Sequence, residues 1–254
     1  MFQMPSSAVS RSWAAQCQMS WSATGSGCEW QLSTLQDSGR EVGSVLLRCD
    51  PKLSEVRLID TARALGKANS YAAFSLREVL NEKHASIVVN AGSTTSYSVP
   101  SPAGLLKIGS TIVSKAKLND KNAGILCIKR DSVDIVRFSS TVPKGCLDAV
   151  QRGPFLSQDL TAANDGSGQF RRTVVAVDNG GRLLILVTKE GARLSAIAAF
   201  LYGPKLNLGI RAALNLDGGA SSGLIFANDQ GVKDAATGNV DGLVASAIAI
   251  RKRH

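Results

Sequence analysis

The chain lacks several patterns that would assign it to a functional class at once. It has two histidines, and none of its five cysteines forms a Cys-x-x-Cys motif, so the sequence gives no sign of a zinc site. No apolar run approaches the roughly 18 residues that a transmembrane helix needs. The N-terminus shows no continuous apolar segment of the kind that signal peptides carry. We therefore expect no metal, no other cofactor and no transmembrane segment.

Aromatic residues are also scarce, at 5%, and charged residues make up only 19%, whereas glycine is frequent at 24 residues. Many glycines between short Val, Ile and Leu runs are typical of a β-rich fold with many turns. The net charge of +9 favours anionic partners, but the positive residues are scattered except at Arg251-Lys252-Arg253. Because no nucleic-acid-binding module accompanies this charge, we do not expect a nucleic-acid partner.

The cysteine count bears on the compartment. The five are Cys17, Cys28, Cys49, Cys127 and Cys146. An odd number leaves at least one thiol unpaired. The sequence does not assign disulfides, but we predict no essential disulfide at Cys17, and Cys127 and Cys146, which flank a predicted strand pair, are the better candidates for one. A disulfide fits an oxidising compartment, so a periplasmic or secreted location is slightly favoured although no signal peptide is visible.

Hydrophobic periodicity divides the chain into an arm and one domain. Residues 1–28 are rich in Ser, Gln and Ala without a clear period, and we predict a poorly ordered arm there. Residues 29–254 are predicted to form a single domain. Within it, a helix is predicted over 75–84, where Ser75 can cap the first turn, and another over 194–203.

Strands dominate the rest of this domain. The wholly apolar run "ASIVVNAG", residues 85–92, suits a buried central strand. The segments 101–113, 124–139 and 171–191 each predict a hairpin, and the last is the clearest because two apolar arms flank Asp-Asn-Gly-Gly. The predicted fold is α+β, with a mixed, mostly antiparallel β-sheet core and a few helices.

The segment "ALNLDGGASSGLIF", residues 213–226, contains a literal G-x-S-x-G from Gly219 to Gly223. A serine hydrolase of this type needs a helix after the serine, and a histidine and an acid later in the chain. Here a β-like run follows, His84 lies upstream and His254 is the last residue. We therefore do not interpret Ser221 as a nucleophile.

Asp217 offers a different chemistry. It lies at a predicted strand end, and the two glycines after it permit positive φ and close backbone approach. Successive N–H groups of residues 218–222 can form a concavity for an anion such as phosphate, to which Ser221 and Ser222 add hydroxyl groups. A carboxylate beside an anion site suits a phosphorylated substrate in which an atom next to the phosphate develops positive charge during the reaction. A strand–turn–strand connection, in which Asp and Gly serve only the turn, is the alternative.

The segment "LNLDGGASSGL" resembles the signature of the phosphodiester glycosidase family. Other segments resemble further family motifs in the same order, between about residues 40 and 250. They are "ASIVVNAG" with Asn90 and Gly92, "SPAGLLKIGSTI" with Pro102 and Gly104, "QRGPFL" with Gly153 and Pro154, and "RRTVVAVDNGGRLLILV" with Arg172 and Thr173. Each segment alone is weak evidence for the family, whereas their combination is specific to it.

This resemblance implies a hydrolase that cleaves a sugar-1-phosphodiester at the glycosidic C–O bond and releases a phosphate monoester. Asp217 would stabilise or attack the oxocarbenium-like centre, and Arg172 would grip the phosphate oxygens. Strand alternation directs only one of Arg171 and Arg172 inward, and the motif selects Arg172. The implied catalytic residues are Asp217, Arg172 and Asn90, and the implied substrate-binding residues are Asn215, Thr173, Gly92, Gly218, Gly219, Ser221 and Ser222.

The expected partner is thus a sugar-phosphate or glycan substrate, and two other functions stay open. One is a phosphate- or glycan-binding module without turnover. The other is a metal-dependent phosphoesterase in which Asp217 and Asn215 provide hard oxygen ligands and the P–O bond is cleaved.

Overall fold

The computed structural model describes residues 21–61, 74–94, 102–120, 122–160, 165–228, 231–233 and 238–253. These residues form many short strands and two α-helices. The strands are β1 Ser22–Ala23, β2 Cys28–Asp37, β3 Arg40–Cys49, β4 Ser54–Asp60, β5 Ile87–Asn90, β6 Ser93–Thr94, β7 Pro102–Ala103, β8 Leu106–Ile108, β9 Thr111–Ser114, β10 Gly124–Ile128, β11 Val133–Arg137, β12 Asp148–Arg152, β13 Phe155–Leu156, β14 Thr173–Asp178, β15 Leu183–Thr188, β16 Ile210–Asn215, β17 Leu224–Asn228, β18 Gly231–Lys233 and β19 Ser246–Lys252. The helices are α1 Leu76–Glu82 and α2 Leu194–Tyr202.

Three antiparallel sheets and a two-stranded ribbon organise these strands. The first sheet has the order β1-β2-β3-β15-β14-β16-β13, the second β11-β10-β12-β8-β9, and the third β18-β17-β5-β19-β4, while β6 pairs with β7. The antiparallel character is as predicted, including the hairpins β8–β9, β10–β11 and β14–β15. With only two α-helices in the described part of the chain, the fold is mainly β, and α+β overstates its helical content.

The inner faces of the three sheets enclose one hydrophobic core. Leu47 and Val175 come from the first sheet, Leu126 from the second and Ile248 from the third, and all four side chains are buried in it. Burial of apolar side chains is the main favourable contribution to the folding free energy of such a domain. Because all three sheets pack against the same core, the ends of their strands can lie close together.

Each predicted helix covers the outer face of a sheet. In α1, Ser75 accepts a hydrogen bond from the Glu78 amide, and the Glu78 carboxylate accepts one from the Ser75 amide, which is the predicted cap. The buried face of α1 packs beside β5, which lies between β17 and β19 as predicted for a central strand. Helix α2 covers the first sheet, so β14 and β15 are buried on both faces. Among the described residues, no helix is both long and apolar enough to cross a membrane.

Two disulfides tie the strands together. Cys127 and Cys146, the better candidates in the sequence, form a bond that joins β10 to the segment that leads into β12. A second bond, Cys28–Cys49, joins the start of β2 to the end of β3, and the sequence did not assign it. Cys17 and the rest of residues 1–20 lie outside the described residues, while Ser22–Ala23 of the predicted arm form β1, paired with β2.

An ion pair between the buried carboxylate of Asp148 and the partly exposed guanidinium of Arg57 fixes β12 against the third sheet. The fully buried carboxylate of Asp148 accepts hydrogen bonds from Arg57 Nε at 2.7 Å, the Leu58 amide at 3.0 Å and the Gly109 amide at 2.9 Å. These hydrogen bonds compensate for the removal of the Asp148 carboxylate from water. Asp148 thereby sets the position of the strand whose other end, Arg152, reaches the site described below.

We predict that Asp148→Asn lowers the free energy of unfolding by about 2 kcal/mol, because a buried amide cannot accept all of the hydrogen bonds that Arg57 Nε and the Leu58 and Gly109 amides donate to the carboxylate. Chemical denaturation followed by circular dichroism measures this change. Asp131→Asn is the control, since Asp131 pairs with Arg253 at the surface and should change stability little. Equal stability losses in the two variants would contradict the role assigned to Asp148.

Candidate functional site

The candidate site lies where strands of all three sheets end. Strand β16 of the first sheet ends at Asn215, β12 of the second at Arg152, and β5 of the third at Asn90. Asp217 follows β16 by two residues, and Thr173 begins the neighbouring β14. The meeting of the three sheets thus brings Asn90 and Asp217 together, although they are 127 positions apart in the chain.

Hydrogen bonds at its backbone amide and at its backbone carbonyl hold Asp217 in place. Its amide donates to the Ala91 carbonyl at 3.0 Å, and its carbonyl accepts from Asn90 Nδ2 at 2.7 Å. Only 15% of its side chain is exposed. The position of the carboxylate is therefore set by β5, from another sheet, and not by its own loop alone.

Arg152 provides a cation in direct contact with this carboxylate. One terminal nitrogen of its guanidinium donates to Asp217 Oδ1 at 2.9 Å, and 29% of the Arg152 side chain is exposed. Sequence patterns alone did not point to Arg152. The available signal was its place directly before Gly153-Pro154, a pair already matched to a family motif.

Asn90 links the three chain segments around Asp217. Its Oδ1 accepts from Thr173 Oγ1 at 2.7 Å and from the Gly223 amide at 3.1 Å, while its Nδ2 donates to Asp217. The side chain is buried, with the residue 1% exposed. Because both ends of the amide are engaged within the protein, Asn90 and Thr173 position the site.

Gly92 and Asn215 complete the walls of the site. The Gly92 amide donates to Ser246 Oγ at 2.8 Å, and a Cβ on Gly92 would lie 2.8 Å from that same oxygen, so the close approach requires glycine. Asn215 donates from Nδ2 to the Gly153 carbonyl at 3.0 Å and from its amide to the Pro154 carbonyl at 3.1 Å. These bonds fix the end of β16 against the segment that follows Arg152.

The loop after Asp217 differs from the predicted anion concavity. Residues Gly219–Ser221 form a 3₁₀ turn, in which the Ser221 amide donates to the Gly218 carbonyl and the Ser222 amide to the Gly219 carbonyl. The Gly219 amide donates to the Arg171 carbonyl at 2.8 Å. Three of the five amides are thus used within the protein, because the turn closes on itself. The amides of Gly218 and Ala220 are the remaining candidates in this loop.

Buried polar atoms without partners concentrate at this site. In the part of the chain that the structure describes, four buried side-chain atoms have no hydrogen-bond partner, and three of them are Arg152 Nε, Asn215 Oδ1 and Ser222 Oγ. Such atoms are rare in folded proteins because leaving them unpaired is costly. Arg152 contacts the Asp217 carboxylate, and Asn215 and Ser222 lie within five residues of Asp217 in the chain.

Arg172 occupies a different environment from the one expected. It is the more buried member of the Arg171–Arg172 pair, as the motif predicted, but its guanidinium donates to the carbonyls of Ala192, Ser167 and Gly168 at 2.8–3.1 Å. Burial lowers the pKa of Arg172, and the charge of Asp165 opposes this effect. The bonds that the structure gives the guanidinium secure the loop around Ser167, and none of them reaches Asp217.

The described residues contain no cluster of three or more His, Cys, Asp or Glu side chains placed to hold a metal. At Asp217 the neighbouring charged group is a guanidinium, which repels a cation, whereas a phosphoesterase metal centre needs further oxygen ligands. The donor set at this site therefore does not match the predicted metal alternative.

Comparison with known proteins identifies the same region. The sequence profile of the phosphodiester glycosidase family matches residues 83–251, which is more than half of the chain and includes every site residue described above. Among curated proteins, none matches the chain significantly.

Several solved structures share the fold. The catalytic domain of zebrafish N-acetylglucosamine-1-phosphodiester α-N-acetylglucosaminidase, auto-inhibited by its pro-peptide, matches with a TM-score of 0.67 and 14% identity, over 89% of this chain and 83% of that one. A hypothetical protein from Synechocystis matches with a TM-score of 0.58 and 17% identity, over 89% of this chain and 62% of that one. A Burkholderia pseudomallei protein described as exported matches with a TM-score of 0.54 and 11% identity, over 83% and 74%.

At these identities the structures show a shared fold, and the family rests on the sequence profile. That profile spans the strands that carry Asn90, Arg152, Thr173 and Asp217. The chain belongs to the phosphodiester glycosidase family.

Proposed function

We propose that the protein hydrolyses a sugar-1-phosphodiester at the glycosidic C–O bond and releases the sugar and a phosphate monoester. The observation that carries this proposal is the contact between Asp217 and Arg152, at 2.9 Å, amid three buried polar atoms without partners. A carboxylate and a guanidinium side by side match the two charges of such a transition state. The zebrafish relative is named for N-acetylglucosamine, which makes that sugar the first to test.

Asp217 acts on the sugar. As the bond to the phosphate oxygen lengthens, positive charge develops at the anomeric carbon, and a carboxylate held nearby stabilises or attacks it. The departing phosphate monoester is a weak base, so protonation by a strong general acid is less necessary than in ordinary glycosidases. A single well-placed carboxylate is therefore sufficient for the chemistry that we assign to Asp217.

Arg152 acts on the phosphate. Its planar guanidinium can bind two phosphate oxygens, and its Nε has no partner within the described residues. We assign the phosphate contact to Arg152 instead of Arg172, because the guanidinium of Arg172 already binds three backbone carbonyls. The amides of Gly218 and Ala220 are further donors for the same oxygens, whereas Ser222 is fully buried.

The other residues of the site position these two. Asn90 and Thr173 hold the backbone of Asp217, and Asn215 Oδ1 is a buried acceptor suited to a sugar hydroxyl. Ser221 lies on the turn without a histidine base and is assigned no chemical step.

The test is incubation with a panel of sugar-1-phosphodiesters in ¹⁸O-labelled water. Label in the released sugar supports C–O cleavage as proposed. Label in the phosphate would instead favour a phosphoesterase. Binding of the panel without any product would favour a binding module that lacks turnover.

We predict that Asp217→Asn reduces kcat/KM for sugar release by about three orders of magnitude, because the amide keeps the shape but loses the charge that stabilises the transition state. Steady-state kinetics measures the loss. Ser221→Ala should lose no more than about a hundred-fold, since its hydroxyl at most binds phosphate. A serine-directed fluorophosphonate should leave the protein unlabelled, and a fully active Asp217→Asn variant would refute the assignment.

We predict that substitutions of the two arginines separate activity from stability. Arg152→Gln should lower kcat/KM by about a hundred-fold, from the charge-assisted bonds lost, while keeping the melting temperature close to that of the native protein. Arg172→Gln should lower the free energy of unfolding by about 2 kcal/mol, because buried carbonyls lose their donors. Activity assays and thermal melts of both variants check this, and the assignment fails if Arg172→Gln is the more damaging to activity at full stability.

A further inference from the structure

Positively charged side chains gather at the end of β19 that lies away from the candidate site. Strand β19 starts at Ser246, whose hydroxyl accepts the hydrogen bond from Gly92, and ends at Lys252. A strand of this length spans about 20 Å. The run Arg251-Lys252-Arg253 is the dense cluster of positive charge in the sequence, and the reaction that we propose does not use it.

Arg253 links two other chain segments to this end of β19. Its guanidinium donates to the carbonyls of Pro51 and Arg130 and pairs with Asp131 at 2.9 Å. Its amide donates to the Leu53 carbonyl at 2.9 Å. The turn before β4 and the turn between β10 and β11 therefore meet at the end of β19.

Three cations on these segments are exposed to solvent without a carboxylate partner. Within the described part of the chain, Lys52, Arg130 and Lys252 form no ion pair. We call these three residues the basic patch. Cations held close together raise the electrostatic potential at the surface and attract a partner that carries several negative charges.

The acidic side chains beside the basic patch are largely neutralised by arginines. Arg251 pairs with Glu55 at 2.7 Å, and Arg253 pairs with Asp131 at 2.9 Å. Asp50 adds one further negative charge, which leaves the three cations of the patch in excess. The surface potential at this end of the molecule is therefore positive.

An exposed apolar side chain lies among these cations. Leu53 is 58% exposed, follows Lys52 in the chain and is bonded through its carbonyl to Arg253. A single exposed leucine is common on protein surfaces, so its place among the cations is the informative feature. It indicates a partner that has an apolar layer beneath its charged groups.

An apolar groove begins at the same end of the molecule. A cavity of about 270 Å³ opens at Glu55 and Arg251 and continues along β4, where Ile59, Ile108 and Ala249 line it. A second cavity, of about 290 Å³, shares Ile59 and Ile108 and extends the groove toward β9. An acyl chain can cover such a surface, whereas a polymer of charged groups has no apolar part to place there.

We propose that the basic patch, together with Leu53, binds the surface of an anionic lipid bilayer. The three cations contact the lipid phosphates, and Leu53 enters the boundary between headgroups and acyl chains, so that charge attraction and apolar burial add. Bound in this way, the protein turns the strand ends around Asp217 away from the lipid, and substrate reaches them from the aqueous side. This assignment is independent of the proposed reaction.

The test is co-sedimentation of the protein with vesicles of phosphatidylcholine, either alone or mixed with phosphatidylglycerol. Each cation close to an anionic surface strengthens binding about five-fold, so we expect the native protein to bind the mixed vesicles about a hundred-fold more tightly than phosphatidylcholine alone. Added salt should remove most of this difference. Equal binding to the two kinds of vesicle would overturn the proposal.

Two triple variants that lose the same charge show whether the patch itself binds. The first replaces the three cations of the basic patch: Lys52→Gln, Arg130→Gln and Lys252→Gln. The control replaces three exposed lysines elsewhere: Lys115→Gln, Lys117→Gln and Lys205→Gln. The patch variant should lose about a hundred-fold in affinity for the mixed vesicles, while the control should bind like the native protein. Equal losses in both would show that net charge alone governs binding and would contradict the proposal.

Leu53→Ser distinguishes a bilayer from a soluble polyanion. Moving a leucine side chain out of water contributes about ten-fold in affinity, so this variant should lose that factor on the mixed vesicles and bind heparin as the native protein does. If it binds the vesicles like the native protein, while the patch variant loses affinity for vesicles and heparin alike, the partner is a soluble polyanion and the lipid assignment is wrong. Because all the substituted side chains are exposed, thermal melts should give the native melting temperature for every variant.

Discussion

The site depends on the hydrogen bonds of one buried amide, Asn90. Its Nδ2 holds the carbonyl of Asp217, and its Oδ1 accepts from Thr173 and from the Gly223 amide. The first and third sheets meet through these bonds, and the loop that carries Asp217 is fixed at both of its ends. A loop of glycines and serines has little stiffness of its own, so the precision that catalysis requires has to come from such a neighbour.

The positive charge at the site comes from the second sheet. Strand β12 brings Arg152 to Asp217 at one end, and the buried Asp148 at its other end fixes the strand to Arg57. The Asp217 carboxylate therefore lies between a buried amide from one sheet and a cation from another. This arrangement leaves Arg152 Nε, Asn215 Oδ1 and Ser222 Oγ unpaired within the described protein, and a protein tolerates such atoms where a ligand pairs with them.

The sequence predicted the elements well and the contacts between them less well. The run 85–92 and the hairpin 171–191 were predictable because a long apolar pattern has few structural alternatives. Asp217 was selected because its segment resembles a family motif, since the residue types alone left a role in the turn equally open. The Cys28–Cys49 bond was not assigned, since nothing local in the sequence specifies which strands are neighbours.

The roles of the two arginines illustrate the same limit. The family motif correctly selected Arg172 as the more buried of the two, but local pattern cannot tell whether a buried guanidinium meets a ligand or the carbonyls of a distant loop. Likewise, "GGASS" permits either an open row of amides or a closed 3₁₀ turn, and the register of β16 against β14 and the bond from Gly219 to Arg171 favour the turn. Arg152 was missed because its partner, 65 residues away, is visible only when the sheets are assembled.

The central claim is that Asn90 serves the reaction by holding Asp217, and a double-mutant cycle tests it most directly. Sugar release is measured for Asn90→Ala, Asp217→Asn and the combination, below the melting temperature of each. If Asn90 acts through Asp217, kcat/KM of the combined variant should be no lower than that of Asp217→Asn alone. Once residue 217 has lost its charge, its exact position no longer affects the rate. Losses in kcat/KM that multiply in the combined variant would show that the two residues act independently and would contradict this account.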